Sequence, residues 1–281
     1  MKVLVAEKCG FCHGVRNAIS VAEKILAEDN DVYSLGPIIH NKDVVDRLAK
    51  SGLKTVSRVE DIHSGTALIR SHGAAPNQIA KLKEKGLNII DATCILVKRV
   101  QHIAAELEKQ GYQVVIIGEE NHPEVRAVVG CASDVIVITD ESDLHKLPQN
   151  AKLGVICQTT QNPDHFGKML GAMASGSFSE LKVINTLCRE AIKRQESAVQ
   201  LCEQVDIMFV LGGLESANTR RLAELCKQVN KDTYHLQNWH DLDKRVLSGK
   251  KSAGVTAGAS TPDWIITEFV KNLKVVDSGS K

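Results

Sequence analysis

The chain has 281 residues, a formal net charge of +1, and 25% charged and 43% hydrophobic residues. That balance leaves no electrostatic footprint for nucleic acid or an anionic membrane, and 4% aromatics are too few for a base-stacking platform. No apolar run approaches the roughly 20 residues that span a bilayer. The opening MKVLVAEKCG breaks at Glu7 and Lys8, before a signal-peptide core can form. A cytoplasmic protein with no membrane and no nucleic-acid partner is expected. In chain order, KVLVA (2–6) reads as a strand, followed by a helical pattern over 15–27. DVYSLG (31–36) precedes a helix at 41–50, TALIRS (66–71) a helix at 76–85, and LNIIDA (87–92) a helix at 97–109. YQVVIIG (112–118), DVIVIT (134–139), LGVICQ (153–158) and KVIN (182–185) follow, with a long helix to about residue 202. DIMFVLGG (206–213), a helix at 219–229, DTYHL (232–236) and SAGVTAG (252–258) complete the pattern. The last residues, VDSGSK, read as a loose tail. Strands alternating with helices of this length predict an α/β fold with mainly parallel sheets.

The chain repeats itself. IIDATC, ending at Cys94, matches VINTLC, ending at Cys188; each is an apolar strand leading to a cysteine and then a helix. A glutamine stands seven residues past each: Gln101 and Gln195. Cys12 and Gly36, Cys94 and Gly118, and Cys188 and Gly212 are each 24 residues apart, and every one of those glycines closes an apolar strand. Four residues past the glycines stand His40, His122 and Ser216. Later in each unit a third strand ends in a polar stretch closed by proline: IRSHGAAP with His72, ICQTTQNP with Thr159 and TAGASTP with Ser260. Similar βα units alone give similar spacings, but three equal intervals in one context favour a shared plan. The modules are read as 14–94, 95–188 and 189–281, with strand 1–13 completing the third.

Three such modules can close into a pseudo-threefold trefoil around a central cavity, into which strand carboxyl ends deliver their residues. Each module then brings one cysteine to a helix N-terminus, where dipole and amides favour thiolate. Three thiolates without a fourth protein ligand leave an open metal position, and thiolate ligands select zinc or iron–sulfur. The cysteines lie 82 and 94 residues apart, unlike zinc ribbons or ferredoxin clusters. His40, His72, His122, Thr159, Ser216, Asn218 and Ser260 are strand-end donors suited to a phosphate or diphosphate. No Walker glycine pattern or arginine cluster points to a nucleotide. Glu124, two residues from His122, is a candidate proton donor. Cys9, Cys12 and His13 also read C-x-x-C-H, the c-type haem pattern, but no export signal accompanies it and the repeat selects Cys12 without Cys9. Cys131, Cys157, Cys202 and Cys226 sit in apolar or helical patterns and read as packed small residues.

At these positions the sequence resembles the 4-hydroxy-3-methylbut-2-enyl diphosphate reductases, the last enzymes of the non-mevalonate isoprenoid pathway. The matching pieces are GFCHGV (10–15), IIHNKDVVDRL (38–48), SHG (71–73), DATC (91–94), NHPEV (121–125), QTT (158–160), Cys188 with RQE, ESANTRRLAEL (215–225) and GVTAGASTPDW (254–264). The resemblance implies a [4Fe–4S] cluster held by Cys12, Cys94 and Cys188, with one iron not ligated by protein and open to the substrate's allylic oxygen. It implies that His40, His72, Ser216, Asn218 and Ser260 hold the diphosphate. His122 assists binding, Thr159 organises the hydroxyl and proton network, and Glu124 supplies protons. The implied reaction is a two-electron reductive dehydroxylation to isopentenyl and dimethylallyl diphosphate by a monomer, with a ferredoxin or flavodoxin-type electron donor. Two departures stand out: Ala217 replaces a serine usual beside Ser216, and Arg189, Glu190 and Ala191 replace the Ala-Thr usual after the third cysteine. A non-redox iron–sulfur dehydratase and a cluster-based redox sensor are the alternatives; a sensor has no need of Glu124.

Overall fold

The β-branched runs pair as three sheets of four strands, and every strand pair in them is parallel. The structure is a computed structural model and describes residues 1–278. The chain starts with β1 (Lys2–Val5), α1 (His13–Glu28), β2 (Val32–Leu35), α2 (Lys42–Lys50), β3 (Lys54–Val56), β4 (Thr66–Ile69), α3 (Pro76–Glu84) and β5 (Asn88–Asp91). It continues with α4 (Ile95–Lys109), β6 (Gln113–Ile117), α5 (Pro123–Val129), β7 (Val135–Ile138), β8 (Lys152–Cys157), α6 (Pro163–Ala174) and β9 (Glu180–Val183). Then come α7 (Arg189–Cys202), β10 (Ile207–Leu211), α8 (Ala217–Val229), β11 (Thr233–Leu236), β12 (Ser252–Ala257) and α9 (Asp263–Ser278). Helix α9 extends over 276–278, so the first half of the expected loose tail is helical. Residues 279–281 lie outside the described residues.

The chain forms two compact units, one of Met1–Arg16, His40–Asp46 and Arg189–Lys281, the other of Asn17–Ile39 and Arg47–Cys188. The first contains sheet A, ordered β1-β12-β10-β11. The second contains sheet B, ordered β3-β2-β4-β5, and sheet C, ordered β7-β6-β8-β9. Sheets B and C therefore run second strand, first, third, fourth. Sheet A has the same order, with β1 in the fourth place beside β12.

Parallel sheets bury both faces, so their strands read as continuous apolar runs. All of β10, from Ile207 to Leu211, is inaccessible to solvent. Ile207, Phe209 and Leu211 pack toward Ile265, Phe269 and Leu273 of α9. Met208 and Val210 face the other way, onto Ala198 and Leu201 of α7 and Leu222 of α8. Sheet C repeats this: Val115 and Ile117 meet Phe166 and Met169 of α6, while Val114 and Ile116 meet Val100, Ala104 and Leu107 of α4. At about 1.5–3 kcal/mol per fully buried aliphatic or aromatic side chain, these two-sided layers hold the strand ends rigid.

Candidate active site

Three backbone hydrogen bonds recur in each sheet and set where the chemistry stands. The strand-closing glycine donates to the last residue of the second strand: Gly36 to Val56, Gly118 to Ile138 and Gly212 to Leu236, at 2.7, 3.0 and 2.9 Å. After the third strand a turn closes from Gly73 to Arg70, Gln161 to Gln158 and Thr261 to Gly258. The cysteine amide then donates to the second residue of that turn: Cys94 to Ser71 at 3.0 Å, Cys188 to Thr159 at 2.8 Å and Cys12 to Ala259 at 3.2 Å. The register of these bonds differs from the sequence reading in one place. Thr159 shares its position with Ser71 and Ala259, while Thr160 is the counterpart of His72 and Ser260.

In the first unit, Cys12 stands directly before α1, and the Val15 amide points at its sulfur at 3.5 Å. Helix-start amides aimed at a sulfur suit a metal-bound thiolate. The loop ahead of it turns at Gly10, whose φ is +78° and where a Cβ would lie 2.9 Å from Ile266 Cδ1. Arg194 of α7, itself buried, donates from Nη2 to the Gly10 carbonyl at 2.8 Å. Cys9 packs against the β10–α9 core, and burial pushes its thiol up to about 12. A protonated core thiol does not fit the haem-attachment reading of C-x-x-C-H.

The remaining first-unit residues cluster at the ends of β10 and β12. Ser216 caps α8, its hydroxyl accepting the Thr219 amide at 3.3 Å. Ser260 Oγ donates to the His40 carbonyl at 3.1 Å. A Cβ on Gly213 would meet that same carbonyl at 2.7 Å, so only glycine lets the His40 segment approach. The side-chain nitrogen of Asn218 is buried and has no hydrogen-bond partner among the described residues. An orphaned buried donor costs about 1–3 kcal/mol, and an acceptor supplied by a ligand removes that cost. Ala217, at the first position of α8, and Ala191, in α7, are both buried.

The second unit holds the remaining residues. Cys94 is the N-cap of α4, and His72 follows the Ser71 to which its amide donates. The rings of His72 and His122 stand edge to face, 5.6 Å between centroids. His122 caps α5, with Nδ1 accepting the Glu124 amide at 3.2 Å. That bond assigns the proton of the neutral ring to Nε2. Glu124 is 3% exposed. Its Oε1 accepts the Thr159 amide at 2.6 Å and its Oε2 the Thr159 hydroxyl at 2.8 Å. Desolvation raises the Glu124 pKa against the opposing pull of these two bonds. Thr159 thus links the acid to Cys188: its amide and hydroxyl serve Glu124, and its carbonyl serves the Cys188 amide.

Two supporting residues complete this half. Gln101, singled out by the repeat, donates from Nε2 to Ala74 O at 3.1 Å and Ala127 O at 3.3 Å. It thereby ties the His72 loop and helix α5 to α4. Gln158 accepts the Glu119 amide at 3.0 Å and donates to Thr160 Oγ1 at 3.1 Å. Neither Arg194 nor Gln158 carried a role in the sequence reading. Arg194 has no local signature, because its partner is a backbone carbonyl 184 positions away.

The other cysteines are packed, as their patterns suggest, and none of the eight forms a disulfide. Burial raises the thiols of Cys131 and Cys157 to about 11. Cys202 and Cys226 are buried between α7 and α8, and the hydrogen bond that Cys226 donates to Cys202, together with burial, pushes the Cys226 thiol up. No helix among the described residues is long and apolar enough to cross a membrane.

Residues 3–274 match the family model described as LytB protein. The chain is 41% identical over 274 residues to the 4-hydroxy-3-methylbut-2-enyl diphosphate reductase of Pelobacter propionicus, covering 97% of this chain and 98% of the relative. It is 40% identical over 282 residues to that of Aquifex aeolicus, covering 99% and 97%. A solved structure of (E)-4-hydroxy-3-methyl-but-2-enyl diphosphate reductase, the terminal enzyme of the non-mevalonate pathway, shares 41% identity at a TM-score of 0.72, over 98% of this chain and all of that one. The corresponding reductase of Plasmodium falciparum aligns at a TM-score of 0.92 and 28% identity, over 97% of this chain and 88% of that one. With the match running through all three sheets, the chain belongs to the LytB family, the family its cysteine and histidine motifs resemble.

Proposed function

We propose that this chain is a 4-hydroxy-3-methylbut-2-enyl diphosphate reductase, and that the residues above are its working parts. The observation that carries the mechanism is the Glu124–Thr159–Cys188 chain of hydrogen bonds. It fixes a buried acid next to the backbone that seats a cysteine.

The donor set fits an iron–sulfur cluster. Cys12, Cys94 and Cys188 each begin a helix, each has its amide anchored to a strand-end turn, and none is in a disulfide. These three would hold a [4Fe–4S] cluster with one iron left without a protein ligand. When bound, the cluster supplies the electrons and a Lewis-acid centre for the leaving oxygen. The protein's own residues do the rest. His40, His72, His122, Ser216, Asn218 and Ser260 take the diphosphate through neutral or cationic donors and helix starts, which suits a chain without a basic surface. His122 presents its Nε2 proton because Nδ1 is already engaged. Glu124, whose pKa burial raises, gives a proton to the departing hydroxyl, and Thr159 holds the carboxyl in orientation. The balance is an allylic C–O bond broken and a C–H bond formed, with two electrons and two protons consumed and one water released. The electrons come from a ferredoxin or flavodoxin-type donor, and the enzyme acts as a monomer in the cytoplasm.

The test is anaerobic purification, iron and sulfide analysis, and turnover of the allylic diphosphate with a low-potential reductant. Iron-dependent conversion to the two isoprenyl diphosphates is expected. Protein that stays colourless and iron-free after reconstitution would refute the reading. Turnover that needs no reductant would favour a dehydratase. A cluster without turnover would favour a sensor.

A further inference from the structure

We infer that Thr160 is a substrate-positioning residue that donates its hydroxyl proton to the diphosphate. The inference deepens the proposed function and rests on the assignment of His72 and Ser260 to that group. Three observations carry it. The first is register. His72, Thr160 and Ser260 are each the third residue of a turn closed by the same backbone bond: Gly73 to Arg70, Gln161 to Gln158 and Thr261 to Gly258. Each also follows the residue whose carbonyl takes a cysteine amide. The plan that places two diphosphate donors places Thr160 in the same role in the third module.

The second observation is the hydroxyl itself. Thr160 is half-buried, and its Oγ1 accepts from Gln158 Nε2 at 3.1 Å. Gln158 is fixed in turn, since its Oε1 accepts the Glu119 amide at 3.0 Å. A hydroxyl whose oxygen is engaged as acceptor turns its proton away from that donor, and this one donates to no acceptor among the described residues. A phosphate oxygen supplies one. The third observation is division of labour. Thr159 is buried and spends its amide and hydroxyl on Glu124 and its carbonyl on Cys188. That leaves Thr160 as the threonine of the pair with a donor to offer.

The test compares Thr160→Val and Thr160→Ser with wild-type holoenzyme. Losing one hydrogen bond to a charged group should raise KM for the allylic diphosphate, and Ki for inorganic pyrophosphate, about 10- to 100-fold. The value of kcat and the brown chromophore should stay near wild type, and the serine variant should restore both constants. Unchanged KM and pyrophosphate Ki in the valine variant would overturn the inference. So would a fall in kcat alone, which would move Thr160 to the leaving hydroxyl, or a serine variant as impaired as valine. If wild type binds pyrophosphate calorimetrically but does not turn over, the reductase reading fails while this inference is still decided, by whether valine weakens that binding.

Discussion

Replacing Glu124 by Gln removes one proton from the site and very little else. Glutamine has the same length, keeps a carbonyl oxygen for the Thr159 amide, and can turn its NH2 toward the Thr159 hydroxyl, which then accepts instead of donating. The exchange should therefore cost no more than about one ordinary hydrogen bond, roughly 1 kcal/mol. Burial has a further consequence. The folded pKa of Glu124 lies above its ordinary value of 4.5, with desolvation the main cause. The stability that accompanies a neutral Glu124 is full below the unfolded pKa and declines as pH rises toward the folded one. Glutamine lacks that decline, so the variant should be at least as stable as wild type at pH 7–8 and relatively less so near pH 4. Catalysis moves the other way. A positioned general acid contributes about 10²–10⁴-fold, so kcat should fall by that range. The assay is anaerobic turnover of the allylic diphosphate with a low-potential reductant, on protein matched for iron, sulfide and colour. Turnover equal to wild type in a fully loaded Gln variant would refute the proton-donor role.

Other perturbations probe the frame around the acid. Cys94→Ser should lower bound iron and sulfide sharply, while the metal-free variant keeps the wild-type circular dichroism, because serine preserves the amide bond to Ser71. A changed spectrum would mean that the sulfur holds the fold. The Cys9 thiol, pushed up to about 12, stays protonated at pH 8. In cluster-free protein, iodoacetamide mapped by mass spectrometry should therefore label Cys12 well before Cys9, and equal labelling would contradict the buried setting. Gln101→Leu strips a donor from the carbonyls of Ala74 and Ala127. A loss of about 1–3 kcal/mol should lower the thermal midpoint by several degrees, and an unchanged midpoint would show that water replaces the amide.

Much of this fold is written locally. A buried parallel strand needs an unbroken apolar run, and β6, β8 and β10 carry such runs. β3 escapes because it is three residues at a sheet edge with two exposed positions, and only Val56 marks it. Its existence is nonetheless implied by the modules, since β7 and β11 hold the same place in sheets C and A. Helix α9 runs past the tail boundary because its anchors, Ile265, Phe269 and Leu273, are spaced for a helix face. The composition of the end is polar all the same. Of the site, the spacing of the cysteines and glycines is legible because each stands at a fixed step of one βα plan. The register of the third turn is not legible. The three loops reach their proline after five, four and three residues from Ser71, Thr159 and Ala259, so alignment on the proline misplaces the threonine pair. Backbone hydrogen bonds settle it, and those depend on contacts between distant segments.

The connectivity explains why one cysteine stands at the start of the chain. Each cysteine follows the fourth strand of one sheet and begins the helix that leads to the first strand of another. Cys12 lies between β1 of sheet A and β2 of sheet B, Cys94 between β5 of sheet B and β6 of sheet C, and Cys188 between β9 of sheet C and β10 of sheet A. The chain therefore visits the sheets in the order A, B, C, A. That closed order requires sheet A to take its fourth strand from the N-terminus, as the pairing of β1 with β12 shows. The same logic accounts for Arg194. The loop before Cys12 is the longest of the three between fourth strand and cysteine, and Arg194 clamps its carbonyl at Gly10. The shorter approaches to Cys94 and Cys188 instead carry Asp91 and Asn185, whose side chains accept the amides of Thr93 and Leu187.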